Sequence, residues 1–314
     1  MTKAIIIVLC CLVSIVQAQR ISKVDYKALL KKQDTLTNLS WRMSNEISPL
    51  IRLKSDSLFT KVLVRALSIK NSYYFAFDSV LIAKVYAPDS TFKIFTWQIE
   101  RSKNQIRQRG VVQHNTPNGL LKLTPLIDNS EFMENDNLVV TPKEWVGALY
   151  YNILLNQVGN TTYYTLLGYD DNKAESNKKW IDVLTFTPEG TIQFGAPIIK
   201  HTTQGLRNRL CIEYKKEAKV KLNWDDEQGM IIYDHLTSDN GFINQRKTYV
   251  PDGDYEGLQW TNGLWVHNPK VMCNCPLRKA EDPLLGNPEM GKPLYDKDGK
   301  KLIPTTPPAN TGGG

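Results

Sequence analysis

Between residues 148 and 267 the chain four times places two short stretches of β-branched, aromatic and aliphatic side chains on either side of a turn-forming connector. Residues 148–155 and 162–169 flank Gly159-Asn160, and residues 180–186 and 191–194 flank Thr187-Pro188-Glu189-Gly190. Residues 218–224 and 230–235 flank the loop 225–229, and residues 255–260 and 264–267 flank Thr261-Asn262-Gly263. Gly, Asn and Pro set the backbone for tight turns. A parallel pair would instead need a crossover of about a dozen residues or more. The connectors therefore demand antiparallel sheet. Upstream, Phe95, Trp97 and Ile99 alternate with Thr96 and Gln98, the two-residue period of a strand. These signals predict a predominantly antiparallel β domain over residues 91–275, built as a meander, a barrel-like closure or stacked layers. No fixed period links the turns, which argues against a propeller.

Residues 19–90 read differently. Ser22 followed by Asp25 resembles a capping box. Tyr26, Leu29, Leu30, Leu36, Leu39 and Met43 then trace a helical stripe that Pro49 interrupts. Leu58, Phe59, Val62, Leu63, Ala66 and Leu67 form a second stripe at helical spacing. The fold class is α+β, a mainly helical N-terminal segment followed by the β domain. Beyond residue 276 apolar content collapses; prolines recur from Pro283 to Pro308, and Gly312-Gly313-Gly314 ends the chain. That composition predicts a disordered tail over 276–314, with at most a small hairpin about Asp298-Gly299.

The first 18 residues carry Lys3, an apolar run over 4–16 and small residues at Val16 and Ala18. This is the order of a signal peptide cleaved before Gln19. Cys10 and Cys11 lie inside the run, without the spacing of a lipoprotein signal. Export to the periplasm, the outer-membrane surface or the medium is expected, with no transmembrane helix in the mature chain. The formal charge is +7, but basic residues are interleaved with acids, as in Lys215-Lys216-Glu217. Nothing forms a basic face or a nucleic-acid motif, so no nucleic-acid partner is expected. In an oxidising compartment Cys211 could bridge Cys273 or Cys275, and the spacing leaves the pairing open.

Catalytic signatures are sparse. Residues 286–292 spell G-x-x-x-x-G-K, but Pro293 stands where a phosphate loop needs Ser or Thr. Asp234-His235 is the best acid–histidine pair, although neighbours on a strand face opposite ways. Asp252, Asp254 and Glu256 place three carboxylates at alternate positions, a set that could converge on Ca²⁺. No other cofactor is expected. His267, Cys273 and Cys275 could gather a softer metal. Trp260 and Trp265 could stack on a sugar or a protein partner, or lie in the core.

From about Phe92 to Trp265 the chain resembles a family of exported proteins from Bacteroidetes bacteria. The segments that carry the resemblance are Phe95-Thr96-Trp97, WVGALYY (145–151), YTLLGYD (164–170), KWIDVLTF (179–186), Phe194-Gly195-Ala196-Pro197, MIIYDHL (230–236) and YVPDGDYEG (249–257). The resemblance implies export and transfers no catalytic residue. The D-[ST]-apolar/Thr pattern of O-glycosylation in such bacteria occurs at Thr35, Ser57, Ser79 and Ser90; Asp-Ser also serves as a helix N-cap pair, which suits Asp56-Ser57 and Asp78-Ser79.

These features together predict an exported envelope or secreted binding protein without catalytic activity, whose partner is an envelope protein or a glycan. The alternatives are a secreted hydrolase acting on glycan or peptide, and a structural envelope component.

Overall fold

The structure is a computed structural model that describes residues 21–102, 105–133, 135–172, 175–242 and 244–272. The expected signal peptide, the Pro-rich C-terminal stretch with its candidate hairpin and Gly-Lys string, Cys273 and Cys275 lie outside the described residues.

Two helices come first, α1 (Lys23–Asn45) and α2 (Pro49–Leu67). Ser22 caps α1: its hydroxyl accepts the Asp25 N–H at 3.1 Å and donates to the Asp25 carboxylate at 2.7 Å, which satisfies one of the helix's orphan donors. Pro49 is the first residue of α2, where its missing N–H costs nothing. Leu29, Leu36, Leu39 and Met43 bury the core face of α1, and Phe59, Leu63, Ala66 and Leu67 that of α2. Tyr26, Leu30 and Leu58 are exposed, so the buried stripes are narrower than the apolar pattern implied. Asp56 is not an N-cap. It sits within α2, buried, accepting from Trp97 Nε1 at 2.9 Å and pairing with Arg109 at 2.8 Å, and so ties the helix to the sheet beneath. Asp78-Ser79 lies in a turn with no helix after it.

Fifteen strands follow among the described residues, in three sheets. The first has the order β1 (Ala83–Tyr86), β2 (Phe92–Ser102), β3 (Gln105–His114), β4 (Leu123–Ile127). Because β1 pairs with β2, strand structure begins before residue 91. The second runs β11 (Leu210–Lys215), β7 (Ser176–Phe186), β6 (Thr161–Asp170), β5 (Leu149–Val158), with β8 (Ile192–Phe194) also on β7. The third runs β10 (Gly205–Arg207), β9 (Ile199–His201), β15 (Leu264–Asn268), β14 (Tyr249–Thr261), β13 (Met230–Ser238), β12 (Leu222–Asp225). All four hairpins expected from the turns form: β5–β6, β7–β8, β12–β13 and β14–β15. Every ladder is antiparallel except β15 on β9.

The period of two along each strand sorts side chains into stacked layers. On β2, Phe95, Trp97 and Ile99 pack against the helices, whereas Phe92 and Ile94 pack against the second sheet. On β6 and β7, Leu166, Trp180 and Leu184 face the first sheet, whereas Leu167, Ile181 and Val183 face the third. The middle sheet is thus covered on both faces, which explains its near-continuous apolar runs. The molecule is a stack of helices and three sheets.

Candidate functional site

The apolar seam between the second and third sheets gives way to polar residues at one end. The strand order β9, β15, β14, β13 brings one residue from each strand to this place: His201, His267, Glu256 and His235. The chain has four histidines, and three of them surround this one glutamate.

His267 is buried, and its Nε2 lies 2.9 Å from Glu256 Oε2. On its other side Nδ1 lies 2.7 Å from Thr202 Oγ1 and 3.4 Å from the Thr202 N–H. A backbone N–H can only donate, so Nδ1 is the acceptor and Nε2 carries the proton toward the carboxylate. The His267 ring is flanked by His201, stacked at 3.8 Å and 12°, and by Tyr233 at 6.3 Å and 16°. His201 Nδ1 receives the Thr203 and Gln204 N–H groups at 3.3 and 3.4 Å. Burial, reinforced by His267, pushes His201 down to about 4; its imidazole is neutral at physiological pH. Burial and the Glu256 charge raise the Tyr233 hydroxyl well above its ordinary value. Burial alone would raise Glu256, but the bond and charge of His267, with Tyr233 and His235, outweigh it and hold the carboxyl below the usual range.

His235 bridges two acids, with Nδ1 at 2.7 Å from Asp252 Oδ2 and Nε2 at 3.7 Å from Glu256 Oε1. Asp252 is held low: burial, which raises it, is outweighed by the Asp254 N–H and His235. Asp234 and His235 have separate partners, as alternation on a strand requires. The Asp234 carboxylate accepts the Lys221 N–H at 2.6 Å, and burial raises its pKa. Of the three alternating acids, Glu256 and Asp252 are engaged by histidines, while Asp254 between them is exposed and lies 4.0 Å from Lys270.

Trp265 is not a ligand platform. It is 1% exposed, with Nε1 donating to Thr165 Oγ1 at 2.8 Å. Trp260 is half-buried and packs edge-on against it at 5.2 Å. Cys211 is half-buried against the core between the first and second sheets. Burial pushes its thiol up to about 12, and its candidate partners Cys273 and Cys275 lie outside the described residues. Sequence reading singled out His235, His267 and Glu256 as parts of separate ideas and missed His201, whose three-residue strand has no local signal.

Beside the histidines opens a cleft of about 560 Å³. Its wall includes His201, Glu213, Tyr233, Arg246, Tyr249 and Glu256, with Leu210, Ile212 and Leu236 as apolar patches. A neighbouring depression of about 370 Å³ shares Cys211, Glu213 and Arg246 and reaches Lys178 and Trp180. The two adjoin along β11, the edge strand of the middle sheet. Among the described residues no helix is long and apolar enough to cross a membrane. The chain matches no protein family, no curated protein and no solved structure.

Proposed function

We propose that the chain is an exported binding protein of the bacterial cell envelope that takes a glycan into the cleft beside Glu256. The observation that carries this reading is the lining. Planar polar groups of Glu213, Arg246, Asn244 and Gln204 match the paired donors and acceptors of vicinal hydroxyls. Tyr249 adds a ring of the kind that packs on the apolar face of a pyranose. Continuity with the second depression suits an extended oligomer over a single sugar. Titration calorimetry with oligosaccharides that bind on a glycan array is the test. Arg246→Ala and Tyr249→Ala are each expected to weaken binding about 10-fold or more, or about 1.4 kcal/mol. An array blank with correctly folded protein would refute the reading.

A secreted hydrolase is the second reading, favoured by one specific feature: Glu256 sits between two histidines at the edge of the cleft, and carboxylates and imidazoles are both common general acid–base groups. Turnover of a bound oligosaccharide, lost in Glu256→Gln while binding persists, would establish it. A purely structural envelope role predicts neither binding nor turnover.

Export itself rests on the N-terminal signal and on the resemblance to exported Bacteroidetes proteins. Thr35, Ser57, Ser79 and Ser90, the candidate O-glycosylation residues, are all exposed. Thr35 and Ser57 lie on helices, Ser79 in a turn, and Ser90 in the β1–β2 connection with φ 61°. Intact mass of protein recovered from its native envelope is expected to correspond to a chain starting at Gln19 plus added hexose. The mass of the bare full-length sequence would rule out both processing steps.

A further inference from the structure

We propose that His201, Glu256 and His267 bind a divalent transition metal, zinc by the character of the donors, with His235 at the outer side of the site. This goes beyond glycan binding and does not depend on it. One ligand atom from each of His201, Glu256 and His267 lies within 4.8 Å of the others. Two imidazoles with one carboxylate form a donor set typical of zinc sites that keep an open position.

The surroundings of the ligands point the same way. A histidine that binds metal through one nitrogen has its other nitrogen oriented by a second partner. For His267 the partner is Thr202 Oγ1, 2.7 Å from Nδ1, which can accept a proton placed on Nδ1 while Nε2 faces Glu256. His235 meets it through Asp252, 2.7 Å from Nδ1, while Nε2 also faces Glu256. Two imidazoles on the strands either side of β14 thus aim the same nitrogen at opposite oxygens of one carboxylate. The open position would face the cleft, which His201 and Glu256 both line.

The geometry also states what binding must change. A metal takes the place of the proton between His267 Nε2 and Glu256 Oε2. The imidazole then carries its proton on Nδ1, donating to Thr202 Oγ1 and giving up the 3.4 Å contact to the Thr202 N–H. The metal must also lie near the plane of each ligating ring. His201 lies parallel to His267 at 3.8 Å, so one ion cannot sit in both ring planes. His201 must therefore turn out of the stack, giving up its contacts of 3.2–3.4 Å to Thr203 and Gln204. His235, 40% exposed, is free to follow.

The test is titration of the metal-stripped protein with Zn²⁺ alone, read by calorimetry, and with Co²⁺ read by its visible spectrum. A Cys273→Ser/Cys275→Ser background excludes thiolate capture. One zinc per chain is expected, with a tetrahedral Co²⁺ spectrum and a raised Tm that EDTA reverses. Glu256→Gln and His267→Ala should abolish these signals, and His114→Ala should leave them unchanged. Thr202→Val, at an exposed turn residue, should lower affinity by about 10- to 100-fold, which keeps the test open if the core variants fold poorly. No saturable binding by the parent, or binding unaltered in Thr202→Val and Glu256→Gln, would overturn the proposal. Because no sugar is present, failure here leaves the glycan reading standing, and a blank glycan array leaves the zinc result standing.

Discussion

Replacing Arg209 with methionine is expected to destabilise the protein by about 3–5 kcal/mol and to lower Tm by roughly 10 °C. Arg209 and Asp182 are both fully buried, with Nε 2.9 Å from Oδ1. Arg209 Nη1 donates to the carbonyls of Asp136 and Leu138. Asp182 accepts the Tyr150 hydroxyl at 3.0 Å and the Val183 N–H at 2.9 Å, and Tyr150 in turn accepts from Trp145 Nε1 at 2.9 Å. The single change strands a carboxylate in a low-dielectric core and removes two of the bonds that hold residues 136–138, where Arg207 and Asn208 keep theirs. The paired change Asp182→Leu with Arg209→Met removes both charges and should recover a large part of the loss, because desolvation offsets much of the attraction within a buried pair. Urea unfolding of the three variants measures this. A single variant as stable as the parent would show that the pair is not buried as described, and a double variant no better than the single would place the loss in the carbonyl contacts.

Asp170→Asn is expected to act in the opposite direction, stabilising the protein at pH 7.5 by about 1–3 kcal/mol. Asp170 ends β6, 4% exposed, with Oδ1 accepting from Gln108 Nε2 at 2.8 Å and from the Asn172 N–H at 2.9 Å. Burial outweighs these bonds and pushes its pKa up to about 6 from an ordinary value of 3.8. Between those two pH values the folded protein holds more protons than the unfolded chain, so this group's contribution falls as pH rises and is fully unfavourable above the folded pKa. Asparagine keeps the accepting oxygen and removes the charge. Its advantage should fade as pH falls through 6 and be largely gone near pH 4. Unfolding curves at the two pH values decide the matter; a variant less stable at both would mean that the charge is compensated.

The hairpins were legible because both partners of each pair lie within one stretch of sequence and a glycine or proline marks the turn. β11 was not, since it finds its partner in the distant β7, and neither were β9 and β10, which pair with each other across a tight turn and, for β9, with the distant β15. Three-residue strands such as β9 hold too few side chains for a period to register. The same limit governs the site. Glu256 and His235 stand out locally, but only the order of strands in the third sheet sets His201 beside them. The buried polar residues were hidden for another reason: Arg209, Asp182 and Lys93 look like surface residues by type. Lys93 is buried with its ammonium 2.9 and 3.0 Å from the carbonyls of Tyr73 and Phe75, and no pattern of apolar residues foretells such a cage.

The parallel ladder of β15 on β9 has a consequence for how the chain reaches its native state. Thr202 and His267, which meet across it, are 65 residues apart, whereas the four hairpins close over short loops. Contacts of large sequence separation form late, because the chain must give up loop entropy before they reward it. The histidine cluster should therefore be among the last parts of the protein to assemble. A chain delivered unfolded across a membrane would acquire its site only on the far side, once β15 has docked on β9.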